Sequence, residues 1–194
     1  MITNLNNYFL DDNYTHCEQL PRGFCVSFSE QTQNNRNVVS ITVENTQIGD
    51  FLTDNSYTDD GYRYHDIFHF AHIAFLGWSP CMRKMLNKKR KSNAFIDEVE
   101  DGARAAITEE TIIFFIYTYA KENNFFENAT SIDSTILQMV KKLSANLEVK
   151  EKTEQEWEMA ILKGYEIFRL LWKNKGGNIL IDAYNKRMEY AINN

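Results

Sequence analysis

Two stretches of strict alternation are followed by long runs at helical spacing. Phe24, Val26 and Phe28 alternate with Cys25, Ser27 and Ser29, and Val39, Ile41 and Val43 alternate with Ser40 and Thr42. That period belongs to half-buried strands, and the polar QTQNNRN between them is a turn. A hairpin or small meander is therefore expected within residues 22–50, with a short third strand near Gln47 and Ile48. Residues 1–21 lack clean periodicity and are expected to wrap the surface before Pro21. After a turn-rich connector, with Thr58 to Asp60 as N-cap candidates, residues 60–78 read DGYRYHDIFHFAHIAFLGW. A helix apolar almost all round is a buried one, and Gly77 ends it. Ser79-Pro80 then opens a short helix to about residue 87. A third helix is predicted over most of 97–121 and a fourth over 132–147. Thr153 and Glu156 form a capping-box pattern. It starts a long amphipathic helix in which Trp157, Ile161, Phe168 and Trp172 recur. Gly176-Gly177 stops it, NILID reads as a last short strand, and 183–192 as a tail helix. The expected fold is a single domain over 1–194, α+β but mainly α. It has a helical core in 58–194, with a short C-terminal strand, beside a small N-terminal antiparallel sheet over 22–50.

Composition narrows the function classes. A chain of 194 residues with 43% hydrophobic and 25% charged residues is an ordinary globular one. The formal net charge of −6 argues against a nucleic-acid binder. Three scattered cysteines form no disulfide framework, and no basic segment with an apolar run opens the chain; both features point to the cytoplasm. The apolar run 112–119 is too short to span a bilayer, so no membrane association is expected.

The buried helix carries an unusual burden. Tyr62, His65, Asp66, His69 and His72 share one of its faces, so three of the four histidines would point into the fold. Buried polar groups require partners. Asp66-x-x-His69 and His65-x-x-x-His69 are both spacings that place two side chains on one metal ion. The second acidic stretch, IDEVEDGARAAITEETI, offers Glu98, Asp101, Glu109 and Glu110, with Glu98-x-x-Asp101 on one face. The site expectation is therefore a divalent ion, Mg²⁺ or Mn²⁺ before Zn²⁺, on His65, Asp66, His69, Glu98 and Asp101. Glu109 or Glu110 would orient or deprotonate water. The basic run Lys84, Lys88, Lys89, Arg90, Lys91 offers phosphate-binding charge, although such runs are usually solvated. Tyr62, His72, Glu100 and Arg104 complete the expected polar core. Glu100 and Arg104 also form an i,i+4 pair of the kind found on helix surfaces. The competing account is a hydrogen-bonded polar seam without chemistry.

Four strings carry a family resemblance: GDFLTDNSYTDDGYRYHDIFHFAHIAFLGWSP, RKMLNKKRKS, DEVEDGARAAITEE and LEVKEKTEQEWEMAILKGYEIFR. Together they resemble the C-terminal domain attached to some bacterial MazG-like nucleoside triphosphate pyrophosphohydrolases, over about three-quarters of the chain. The resemblance implies an association with nucleotide hydrolysis. It marks His65, Asp66, His69, Glu98, Glu100, Asp101, Arg104, Glu109 and Glu110 as matching the family's pattern without giving them roles. The known acidic catalytic motifs belong to the separate MazG half. A rival resemblance, through His65-Asp66-Ile67, is to HD-domain phosphohydrolases, which would call on His16 and Asp101. The expected function is a metal-dependent hydrolase of a nucleotide phosphate or diphosphate bond. The alternative is a non-catalytic nucleotide-sensing or interaction module that partners a nucleotide hydrolase, and a homodimer suits either.

Overall fold

The computed structural model describes residues 9–191; the readings made for residues 1–8 and 192 lie outside it. Three strands come first: β1 (Gly23–Gln33), β2 (Arg36–Val43) and β3 (Thr46–Leu52). Their turns are two-residue hairpins, Asn34-Asn35 and Glu44-Asn45, all four at positive φ between 47° and 66°. Such turns match the right-handed twist of the strands they join. The expected meander is thus present, third strand included.

The helices follow as α1 (Asp66–Leu76), α2 (Pro80–Met85), α3 (Ala94–Val99), α4 (Ala103–Glu122), α5 (Ser134–Leu143) and α6 (Glu154–Asn174). Every residue of α1 is buried. It lies between two layers: Phe70 meets Phe24 and Phe28 of β1 on one side, while Phe68 meets Tyr165 and Phe168 of α6 on the other. The approach to α6 is close enough that a Cβ on Gly164 would lie 3.2 Å from the Phe68 ring and 3.3 Å from Ala71 Cβ. Gly77, at φ 64°, closes α1 through an N–H bond to Ile73 O. Thr153 and Glu156 make the expected capping box at the head of α6.

Four expectations are corrected. The sheet is neither small nor confined to the N-terminal region. It has five antiparallel strands in the order β3-β2-β1-β4-β5, and β4 (Gly176–Asp182) and β5 (Arg187–Ala191) come after the last helix. The returning chain pairs Phe24 with Ile181 and Val26 with Ile179, covering the free edge of β1. The fold is α+β with a full sheet as one layer. The tail is a strand rather than a helix, because pairing with β4 buries Met188 and satisfies its backbone. The α1 helix starts at Asp66, after a 3-10 turn over Tyr62–Tyr64. Arg63 there is tied to Glu30, Asp54 and Asp59, holding the chain off the helix axis. The predicted third helix is two, α3 and α4, broken beside Gly102, where a Cβ would lie 1.9 Å from Glu98 O.

No helix among the described residues is long and apolar enough to cross a membrane.

Candidate functional site

The histidines of α1 face Glu109 and Glu110 of α4. Glu109 is wholly buried and saturated on all sides. Its Oε1 accepts from His72 Nδ1 at 2.8 Å, and its Oε2 accepts from the Ser79 hydroxyl at 3.1 Å and the Cys81 N–H at 3.0 Å. His69 Nδ1 lies 3.0 Å from the same Oε1, an ion-pair contact without hydrogen-bond alignment. Ser79 has a second task, since its Oγ caps α2 by accepting from Met82 N–H. One carboxylate therefore ties the start of α2 to two imidazoles of α1. Burial pushes the Glu109 carboxyl up, but the His69 charge and the contacts from both imidazoles outweigh it and hold it well below the usual range.

Glu110 points the other way. Its side chain is 46% exposed, and Oε1 lies 3.3 Å from His69 Nε2 and 3.7 Å from Cys81 Sγ. His69, 1% exposed, thus presents each ring nitrogen to a different carboxylate. Burial works against its charge, but Glu109, Glu110 and Asp66 prevail and raise its pKa well above the ordinary imidazole value. Beside it, His65 Nδ1 meets Tyr62 O at 2.9 Å, so Nδ1 carries a proton, and Nε2 lies 3.1 Å from Asp66 Oδ1.

Glu110 and Cys81 lie on an open groove of about 610 Å³ whose walls include Tyr62, Lys84, Met85, Ile107 and Phe114. Tyr62 stacks on His65 with ring centroids 4.4 Å apart. Burial, with Glu110 and Asp66 nearby, pushes its phenol up to about 12, so it stays neutral. The Cys81 thiol is pushed up by burial and then by Glu109 and Glu110.

The chain therefore brings together Tyr62, His65, Asp66, His69, His72, Glu109 and Glu110. It does not bring the others. Glu98 is exposed on α3. Asp101 turns away to the guanidinium groups of Arg90 and Arg83, at 2.7 and 3.4 Å. Glu100 accepts the Glu148 N–H, and Arg104 is exposed. The basic run is dispersed: Lys88 bonds His16 O, Lys89 pairs with Asp97, and Lys91 is exposed. Arg90 is buried and spent on Asp101 and Glu148. The break at Gly102 is the cause, because it separates the Glu98 face from the Glu109 face. His16 is exposed, and with Asp101 buried in ion pairs the HD-type arrangement is not assembled. Sequence reasoning missed Ser79 and Cys81 as site members. The Ser79-Pro80 cap was legible, but not that Glu109 would bind it.

Among the described residues, three groups each bring their ligand atoms within 4.8 Å of one another: His65, Asp66 and His69; His69, His72 and Glu109; and His69, Cys81 and Glu110. In the second, Glu109 is already taken up by the hydrogen bonds it accepts from His72, Ser79 and Cys81. The first and third fit a divalent ion, because each sets an imidazole nitrogen against a carboxylate oxygen where a proton or a cation must lie. Mixed nitrogen and oxygen donors suit ions such as Mn²⁺ or Zn²⁺ better than Mg²⁺.

The architecture and this cluster define an α+β protein with a buried histidine–carboxylate centre opening on a groove. The sequence model of the family described as MazG C-terminal domain matches residues 5–194, and the chain belongs to that family. No curated protein and no solved structure matches the chain.

Proposed function

We propose that this chain is a divalent-metal-dependent hydrolase of a nucleotide phosphate or diphosphate bond, acting in the groove between α2 and α4. The observation that carries the reading is His69, held by a buried carboxylate on one nitrogen while its other nitrogen faces Glu110 at the groove. Membership of a MazG-associated family supports the nucleotide.

His69 Nε2 and Glu110 would hold the ion, which when bound supplies Lewis acidity to a phosphoryl oxygen and an acidified water. Glu109 does not touch substrate in this scheme; with His72 it fixes the His69 ring, as carboxylates behind metal-bound histidines do. Asp66, whose Oδ1 is engaged by His65 Nε2 at 3.1 Å, would take the proton of the attacking water on its other carboxylate oxygen. Lys84 is the groove's cation for phosphate. Tyr62 and Phe114 wall the groove with ring edges and faces on which a base packs.

The test is release of phosphate or pyrophosphate from a panel of nucleoside triphosphates with Mg²⁺, Mn²⁺ or Zn²⁺. Asp66→Asn should keep the fold and ion binding while losing turnover by about 100-fold or more. Wild type that binds nucleotide and releases nothing sinks the hydrolase. It would establish the second reading, a nucleotide-sensing or docking module. That reading is favoured by the exposure of Ile107 (65%) and Phe114 (60%), which a partner surface would cover.

A further inference from the structure

Cys81 takes no part in the scheme above, yet its position is more constrained than that of most thiols. Its N–H is bound to Glu109, the carboxylate that also fixes His69, and its Sγ lies 3.6 Å from Ala106 O and 3.7 Å from Glu110 Oε1. Its sulfur, His69 Nε2 and Glu110 Oε1 come from three different elements, α2, α1 and α4. Their ligand atoms lie within 4.8 Å of one another. The spacing can be compared with a definite geometry. A tetrahedral zinc ion, with bonds of about 2.0 Å to nitrogen and oxygen and about 2.3 Å to sulfur, holds its N and O about 3.3 Å apart and its S and O about 3.5 Å apart. The corresponding distances here are 3.3 Å for His69 to Glu110 and 3.7 Å for Cys81 to Glu110.

We propose that Cys81, His69 and Glu110 form a thiolate-containing site for a zinc-class ion, with the fourth position open to the groove. The proposal rests on the reading of this cluster as an ion site and names the ion it selects. Three protein ligands with one open position are the pattern of catalytic rather than structural zinc. A thiolate is a soft donor that magnesium, with its demand for oxygen ligands, does not take. Two supports are already built: Glu109 stands behind His69 Nδ1 at 3.0 Å, and the Ser79 cap fixes the turn that presents Cys81. The charge of a divalent ion reverses the local field of Glu109 and Glu110, so the thiol loses its proton on binding.

Cobalt(II) is the probe, titrated into the chelator-treated full chain. One equivalent should give a near-ultraviolet sulfur-to-cobalt charge-transfer band together with strong tetrahedral visible absorption. Zn²⁺ should displace it, and excess Mg²⁺ should not. Cys81→Ser, checked for its fold by circular dichroism, should lose the near-ultraviolet band and bind Zn²⁺ at least about 10-fold more weakly. In wild type, Zn²⁺ should slow alkylation of Cys81 while leaving Cys17 and Cys25 unchanged. Cobalt binding without the band, or an unaltered Cys81→Ser, overturns the thiolate site and leaves the hydrolase reading standing. No cobalt binding to the folded chain overturns both. A chain with the band and no hydrolysis keeps this site and removes the proposed activity.

Discussion

The arginine knot and the histidine cluster lie on either side of α2 and handle buried charge in opposite ways. In the knot, Arg22, Arg83 and Arg90 face Asp11, Asp101 and Glu148. Three permanent positive charges meet these carboxylates, and Arg22 also lies 3.5 Å from Asp12 at the exposed edge. Asp11 also accepts the Leu20 N–H, Asp101 accepts the Arg90 N–H, and Arg83 Nη1 donates to Glu18 O and Lys88 O. The histidine cluster sets Asp66, Glu109 and Glu110 against imidazoles, the Ser79 hydroxyl and the Cys81 N–H and thiol, with no permanent positive charge among those contacts. A closed network of guanidinium forks holds loops together, whereas the acid-rich cluster beside the groove is held by titratable imidazoles and neutral donors. Burial alone does not separate structure from site; charge balance and access do.

The largest effect is expected at Arg90. Arg90→Met leaves Asp101 buried beside a single guanidinium and should cost about 3–5 kcal/mol in denaturant unfolding, with or without metal. A loss below about 1 kcal/mol would mean that the knot is not a structural tie.

Next in size is Glu110→Gln. With the side chain 46% exposed, the variant should unfold much as wild type does, but should bind Zn²⁺ or Mn²⁺ at least about 10-fold more weakly by calorimetry. A large stability loss with unchanged ion affinity would make the cluster a second structural tie.

Acid should act on the knot. Burial raises the Asp11 carboxyl, but Arg22, Arg83 and the Leu20 N–H outweigh it, so its folded pKa lies below the ordinary aspartate value. A depressed carboxylate contributes stability that is complete above the unfolded pKa and is lost as pH falls through the folded one. Stability of wild type should therefore fall more steeply below about pH 4 than that of Asp11→Asn, which starts lower. Parallel acid curves would remove Asp11 from the knot.

The smallest effect is the control. Lys163 and Glu166 form a surface pair at 2.7 Å, and Lys163→Ala should shift stability by no more than about 0.5 kcal/mol.

Much of this was written locally. Alternation placed β1 and β2, the apolar run around His69 announced a buried helix, and Thr153 with Glu156 marked the start of α6, because each depends on neighbours within four residues. The likeness of the Asp60 to Trp78 stretch to the MazG-associated domain was also legible in the residues. The sequence placed His65, Asp66 and His69 on one helix but left Glu109 and Glu110 equal as candidates. Only the packing of α4 decided that Glu109 is sealed behind His69 and Glu110 faces the groove. Tertiary structure also decided the fate of the acids at equal spacing. Asp101 went to Arg90 because a buried guanidinium must be neutralised, and the chain broke at Gly102 to allow it. The return of β4 to the edge of β1, 151 residues after Ser27 in the Ser27–Asn178 pair, left no periodic trace. Period records which face a side chain takes; which distant group it meets is set by the demand that every buried strand edge and charge find a partner.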